Sequence, residues 1–181
     1  PRLSPNARRN PSSRWLFAAV WIGLTSPALA QIADAKAEAR DHFDRGLRLF
    51  NQLDNDGALA EFTRAQELVP HPMALYNIGL VYAAMGRPVQ AVDTFDRILS
   101  APTGLDAAAV ERVRMERQRQ LGQIAELEVT TAVPNAIVEV DGIEAGRTPL
   151  KAPLRIARGT HVVGVVAAGY TPLRKQLNLL G

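Results

Sequence analysis

Side chains that could perform catalysis are few in this sequence and widely spaced. The 181 residues include no cysteine, which excludes thiol nucleophiles, disulfides and cysteine-ligated metal sites. After residue 30 the only serine is Ser100, and no Gly-x-Ser-x-Gly pattern of a serine hydrolase surrounds it. His42, His71 and His161 do not share the spacing of metal ligands. We therefore expect the histidines to serve at the surface or in packing.

The acidic residues also favour structural roles. Residues 54–57 share part of the pattern of a calcium-binding loop, but Gln52 would then occupy the first ligand position and Thr63 the last. We interpret this segment as a turn followed by a helix N-cap. Asp93 and Asp96 lie one helical turn apart, as on many exposed helix faces. The sequence thus predicts a protein that is not an enzyme and that has no metal site or cofactor.

Positive charge is concentrated at the start of the chain. The net charge of +3 depends on four arginines in the segment 1–30, which contains no acidic residue: Arg2, Arg8, Arg9 and Arg14. Without that segment, 17 basic and 18 acidic side chains give a net charge of −1. A chain so close to neutrality gives no reason to expect nucleic acid as a partner.

The segment 1–30 has the layout of a secretory signal peptide. Three of its arginines precede an apolar run over residues 15–24, and Ala28-Leu29-Ala30 provides a small-x-small cleavage site. The alternative is an uncleaved membrane anchor, but a span needs roughly 20 apolar residues and this run is shorter. We expect export, with cleavage between Ala30 and Gln31, to the periplasm or the outer cell envelope.

Residues 39–102 contain an internal repeat whose two units align at a constant offset. The matched pairs are Phe43 and Tyr76, Gly46 and Gly79, Leu49 and Tyr82, Ala58 and Ala91, and Phe62 and Phe95. Each unit shows the three-to-four spacing of an amphipathic helix twice, with turn residues between the two helices. The small residues would lie where paired helices approach most closely, and Phe62 and Phe95 would fill the space between units.

This pattern resembles the tetratricopeptide repeat, whose units are helix–turn–helix hairpins of about 34 residues. The matching residues are Gly46, Leu49, Ala58, Phe62, Ala65 and Pro70 in the first unit, and Leu75, Gly79, Tyr82, Ala91 and Phe95 in the second. The sequence departs from the repeat at His42, Ile98 and Thr103, and its repeat is slightly shorter. Helical arrays need a polar end-cap, and residues 105–126 combine an apolar stripe with mixed charges, as a capping or connecting helix would.

The hydrophobic pattern changes from helical to alternating after Glu126. Leu127, Val129, Thr131 and Val133 alternate with other residues, and the Asp-Gly pair at 141–142 is a strong signal for a tight hairpin. Five or six short strands at this spacing predict a small all-β sandwich that leans on the helix over residues 105–126.

Residues 127–181 resemble the PEGA domain, a β-module associated with bacterial and archaeal surfaces. The resemblance rests on Asp141-Gly142, Gly146-Arg147-Thr148-Pro149-Leu150 and Gly169-Tyr170 at their observed intervals. It implies no catalytic residues. The predicted fold class is therefore α+β and multi-domain: a signal peptide (1–30), two tetratricopeptide-like helical hairpins (31–104), the capping helix (105–126) and the PEGA-like sandwich (127–181).

Two interaction modules behind a signal peptide predict a non-catalytic scaffold protein of the bacterial cell envelope. The resemblance to tetratricopeptide repeats implies a groove, lined by the first helix of each hairpin, for a peptide or helix of another envelope protein. The groove residues would be Arg40, Phe43, Leu47, Phe50, Met73, Tyr76, Asn77 and Leu80. Because this set is apolar and aromatic, we expect hydrophobic anchoring.

The alternative is a structural cell-surface module that acts through residues 127–181. This segment has six basic and four acidic residues, whereas residues 31–126 have 11 and 14. The opposite net charges would favour self-association or binding to an anionic cell-wall glycan.

Overall fold

The computed structural model describes residues 27–180 and the side chains of residues 31–180. Five helices come first: α1 (Pro27–Asn51), α2 (Asn55–Leu68), α3 (Pro72–Ala84), α4 (Pro88–Ser100) and α5 (Ala107–Leu121). Six strands follow: β1 (Ile124–Leu127), β2 (Ile137–Val140), β3 (Ile143–Arg147), β4 (Leu154–Ala157), β5 (Gly159–Val166) and β6 (Leu173–Leu179). This order confirms the predicted α+β fold class. The signal-peptide prediction rests mainly on residues 1–26, which lie outside the described residues.

The helices form two successive hairpins that follow the sequence repeat. The offset between the matched residues of the repeat also separates the end of α1 from the end of α3. It separates the start of α2 from the start of α4 as well. The side chain of Asp54 caps α2 by accepting a hydrogen bond of 3.0 Å from the Gly57 N–H, as expected for a turn and N-cap. Pro88 opens α4, where its missing N–H costs nothing. These five helices are compatible with tetratricopeptide-like repeats.

Each hairpin contributes a buried phenylalanine to the helical core. Phe62 is fully buried with Ala58, Ile78 and Val81, so it joins the first hairpin to α3. Phe95 is fully buried in a second cluster, which includes Val113 of α5. Helix α5 therefore closes the end of the array by covering the second hairpin.

Helix α5 is shorter than the predicted capping helix over residues 105–126. It begins after Asp106, whose side chain accepts a hydrogen bond from the Ala109 N–H, and it ends before Gly122. Ile124, predicted to lie on the apolar stripe of this helix, instead begins strand β1. In β1, Ala125 and Leu127 are buried and Glu126 between them is exposed, which is strand alternation.

The strands form two antiparallel sheets. Strands β1 and β4 make one pair, and the other sheet has the order β3-β2-β5-β6. Asp141 (φ 51°) and Gly142 (φ 81°) form the tight turn between β2 and β3, which confirms the predicted hairpin. Buried side chains come from both sheets: Ala125, Leu127, Val138 and Val163.

The alternating segment after Leu127 is not a strand, contrary to the sequence prediction. Strand β1 pairs with β4 only as far as Leu127, opposite Leu154. Beyond it the Thr131 hydroxyl accepts a hydrogen bond from the Val133 N–H, a local bond that competes with strand pairing. Asn135, at φ 56°, then turns the chain into β2.

The strands contact the helices mainly through α4, rather than through α5. Strand β4 lies against α4, where Arg155 pairs with Asp93 at 3.1 Å. The Arg158 side chain also donates a hydrogen bond of 2.6 Å to the carbonyl oxygen of Gly122, at the end of α5. None of the helices in residues 27–180 is both long and apolar enough to cross a membrane.

Candidate functional site

An apolar cleft lies between α1, the end of α2 and the beginning of α3. Its volume is about 430 Å³, within the range of roughly 300–1,000 Å³ that is usual for ligand pockets. Six of its nine lining residues are apolar: Ala39, Phe43, Ala65, Val69, Met73 and Ala74. The other three are basic: Lys36, Arg40 and His71. The residues from α1 follow the spacing i, i+3, i+4 and i+7, so they form one face of that helix.

The turn between α2 and α3 determines where the cleft ends. The His71 N–H donates a hydrogen bond of 2.9 Å to the Gln66 side chain, which ties the turn to α2. The ring of His71 in turn accepts a bond of 3.1 Å from the Met73 N–H and caps α3. Pro72, at the first position of α3, fixes the start of the helix. This local structure places Met73 and Ala74 opposite α1.

Three of the eight predicted groove residues line the cleft: Arg40, Phe43 and Met73. Phe43 is only partly available to a ligand, because its ring packs edge-on against Phe62 with a centroid distance of 5.4 Å. Met73 is 37% exposed and Arg40 is also exposed, so these two side chains remain accessible.

The other predicted groove residues lie outside the cleft. Tyr76 lines a small adjoining cavity with Met73 and packs against Phe95, and burial raises the pKa of its hydroxyl. Phe50 packs against the first core cluster and Leu80 against the second. Asn77 is buried, and its amide donates a hydrogen bond of 2.8 Å to the carbonyl oxygen of Met73. Leu47 is 36% exposed but does not line the cleft.

Six lining residues were missed by sequence reasoning: Lys36, Ala39, Ala65, Val69, His71 and Ala74. Lys36 precedes the repeat as the sequence delimits it, because α1 begins about three turns before residue 39, where that repeat starts. The face formed by Lys36, Ala39, Arg40 and Phe43 was a usable signal. The contributions from the end of α2 depend on the angle between the hairpins, which helical periodicity does not determine.

The electrostatics of the cleft differ from those of the helices around it. No carboxylate is among its lining residues, and within residues 31–180 neither Lys36 nor Arg40 has a carboxylate within 4 Å. Elsewhere on α1 some charges are compensated, among them those of His42 and Arg45. Glu61 accepts hydrogen bonds from His42 and from Arg45. These bonds lower the pKa of the Glu61 carboxyl, and the bond from His42 has the largest effect.

The chemistry that the cleft offers is apolar contact with positive charge at its edge. Within residues 27–180 no three His, Asp or Glu side chains are grouped so that they could hold a metal ion. Met73, with its flexible thioether side chain, is suited to apolar partners of different shapes.

A second depression lies in the β part, between residues 128–131 and 148–153. Its volume is about 300 Å³ and its lining mixes polar and apolar residues. Thr148, which is buried, supports it: its hydroxyl accepts a hydrogen bond from the Ala136 N–H and donates one of 2.7 Å to the Val133 carbonyl. These bonds join the start of the loop after β3 to the segment that precedes strand β2.

Residues 124–180 match the family model of the PEGA domain. The match begins at the first residue of β1 and covers all six strands, so it coincides with the β part of the fold. PEGA domains are typical of exported proteins and indicate an extracellular or surface module. No curated protein matches the chain significantly.

Proposed function

We propose that this chain is a non-catalytic scaffold protein of the bacterial cell envelope. We assign its hairpin repeats to the tetratricopeptide type and infer that they bind a segment of another envelope protein. The observation that carries the proposal is the open apolar cleft between the first helices of the two hairpins. In this position a partner segment contacts α1 and α3 together. Repeat arrays commonly use such a shared surface for binding.

The strength expected of the interaction depends on how many apolar side chains of the partner are buried. Complete burial of one large apolar side chain contributes about 1.5–3 kcal/mol. Because association costs at least about 4 kcal/mol, a single anchor gives weak binding at most. We therefore expect a partner segment with two or more apolar anchors, of which one occupies the space between Phe43 and Met73.

Export supports the envelope location. The signal-peptide layout of residues 1–30 and the PEGA domain at residues 124–180 are independent features that both favour it. In this proposal the β part is a second contact or a spacer. Its strand β4 lies beside α4, where Arg155 pairs with Asp93, and away from the cleft.

The proposal is tested by affinity capture from envelope extracts with the full chain and a Met73→Glu variant as baits. Glutamate in the first turn of α3 agrees with the helix dipole, so this variant should fold while placing a charge in the cleft. The matched control is Met115→Glu, which changes an exposed methionine of α5 outside the cleft. A partner retained by the wild type and the control, but lost by Met73→Glu, supports the proposal. Equal retention by all three contradicts it.

A second candidate function is self-association or binding to cell-wall glycan through the β part. Tyr170 is 63% exposed and Leu173 is 65% exposed, and β6 lies at one edge of the four-stranded sheet. Exposed apolar residues beside a free strand edge favour contact with another chain. Sedimentation velocity over a wide concentration range tests self-association, since a single monomer species would exclude it. Co-sedimentation with peptidoglycan tests glycan binding.

A further inference from the structure

We infer that the segment bound in the cleft is acidic as well as apolar, with carboxylates placed beside its apolar anchor. The inference rests on the proposed function and specifies the chemistry of the partner. Its basis is the pair Lys36 and Arg40, which lie one helical turn apart on the cleft face of α1. Side chains with this spacing are neighbours on a helix surface, so the two charges act on the same part of a ligand.

The two charges are not compensated by the chain itself. Five of the nine other arginines in residues 31–126 have a carboxylate within 4 Å, for example Arg45 with Glu61. In the described residues, Lys36 and Arg40 have none within 4 Å, although residues 31–126 carry a net charge of −3. The edge of the cleft formed by Lys36 and Arg40, here called the rim, is thus a local cationic site on an acidic part of the molecule.

The acidic residues of α1 do not cancel this site. Asp34, Glu38, Asp41 and Asp44 are exposed, and none of them lines the cleft. They would repel an acidic segment that lay elsewhere along α1. A partner's carboxylates are therefore favourable at the rim and unfavourable one turn away, which gives the interaction a defined register.

A third cation extends the same arrangement towards α5. Arg112 lines the small cavity that adjoins the cleft, together with Met73 and Tyr76. It too has no carboxylate within 4 Å in the described part of the chain, whereas Arg114, Arg117 and Arg119 on the same helix are all paired. The exposed apolar side chain of Met73 consequently lines two cavities, one together with Arg40 and the other together with Arg112. The floor of the cleft is apolar, so the rim is where charge can select a partner.

The test uses three synthetic peptides that share two apolar anchors, Leu and Phe, as the proposed function requires, and differ in the flanking pairs of residues: Glu, Gln or Lys. Binding to the full chain is measured by fluorescence anisotropy. The Glu peptide should bind about fivefold more tightly than the Gln peptide, since each exposed ion pair contributes a fraction of a kcal/mol, and the Lys peptide should bind most weakly. Salt at about 0.5 M should remove these differences, because it shortens the range of the charges to a few ångströms.

Two double variants locate the effect. Lys36→Gln/Arg40→Gln should bring the Glu and Gln peptides to within about twofold of each other, while the Gln peptide still binds. The matched control, Arg48→Gln/Arg87→Gln, removes two exposed charges from the same hairpins outside the cleft and should leave the fivefold preference intact.

The outcomes separate this inference from the proposed function. Equal binding of the three peptides, or a preference that survives in Lys36→Gln/Arg40→Gln, would overturn the inference and leave the proposed function standing. Failure of all three peptides to bind would overturn both. Decanoate that binds to the cleft more tightly than the Glu peptide would also contradict the inference, because the occupant would then be an anionic amphiphile rather than a protein segment.

Discussion

Gly46 of α1 lies directly against the ring of Phe62 of α2, so that a Cβ atom on Gly46 would come within 2.7 Å of two ring carbons. The same relationship exists one repeat later, where Gly79 lies against the ring of Phe95. Both hairpins therefore close around a glycine and a phenylalanine in direct contact. The two units of the sequence repeat thus share the same glycine–phenylalanine contact. This contact determines how closely the two helices of each hairpin approach.

The first prediction concerns these glycines. Alanine is the better helix former by about 1 kcal/mol, so Gly46→Ala or Gly79→Ala would stabilise an open helix. Here the added methyl group must displace a fully buried aromatic ring, and overpacking of this kind costs about 1–3 kcal/mol. We expect each variant to lower the free energy of unfolding, as measured by urea denaturation.

The control for this experiment is Ala60→Gly on the exposed face of α2, which changes helix propensity alone. It should cost about 1 kcal/mol. An increase in stability for Gly46→Ala would contradict the packing described for the first hairpin.

Much of the fold could be predicted from the sequence because local signals determine it. The internal repeat, the cap at Asp54 and the proline at Pro88 predict the hairpins, and the turn at 141–142 predicts the hairpin between β2 and β3. The segment after Leu127 could not be predicted from its alternation. Whether such a segment becomes a strand depends on a pairing partner, and the pairing of β1 with β4 ends at Leu127.

The second prediction distinguishes core residues from cleft residues among those first assigned to the groove. Phe43 and Tyr76 pack against Phe62 and Phe95, so Phe43→Ala and Tyr76→Ala should each cost about 2 kcal/mol or more of stability. Met73→Ala removes a side chain that is 37% exposed and should cost about 1 kcal/mol or less. Thermal unfolding of the three variants measures the difference. Equal losses would place Met73 in the core.

The candidate site was only partly predictable, and the reason is tertiary. Helical periodicity identifies the face of α1 that carries Arg40 and Phe43, but it does not indicate how much of that face a neighbouring helix covers. Leu80 and Tyr76 follow the same periodicity and pack on the core cluster that includes Val113 of α5. Only the angles between the hairpins and α5 separate covered from open positions.

The third prediction concerns the buried hydroxyl of Thr148 in the β part. It satisfies the Ala136 N–H and the Val133 carbonyl together, at 3.0 and 2.7 Å. Thr148→Val keeps the shape and leaves both backbone groups without this partner, which should cost about 2–4 kcal/mol. Thr148→Ser keeps the hydroxyl and should retain most of the stability. Similar losses for the two variants would show that the methyl group, rather than the hydrogen bonds, is important.

The fourth prediction is a dependence of stability on pH that arises at the turn between β2 and β3. Asp141 accepts hydrogen bonds from the His161 ring at 2.7 Å and from the Val162 N–H at 2.8 Å. These bonds lower the pKa of the Asp141 carboxyl below its ordinary value of 3.8, and the bond from His161 has the largest effect. The folded protein therefore gives up this proton more readily than the unfolded chain.

The sign of the effect follows from that lowered pKa. The stabilisation is complete above the unfolded-state value of 3.8 and is lost as the pH falls through the folded-state pKa. Asp141→Asn tolerates the positive φ of the turn and does not titrate. Urea unfolding of both proteins should show a difference that shrinks as the pH falls below about 4. A difference that grows as the pH falls below about 4 would contradict the assignment.

The central claim, that the cleft beside Met73 binds a segment of an envelope protein, is tested most directly by photo-crosslinking in living cells. A photoreactive amino acid replaces Met73 in one strain and Met115, which is 55% exposed outside the cleft, in another. We predict that irradiation yields a discrete crosslinked protein from position 73 and not from position 115. The absence of any product from position 73, or the same products from both positions, would contradict the account.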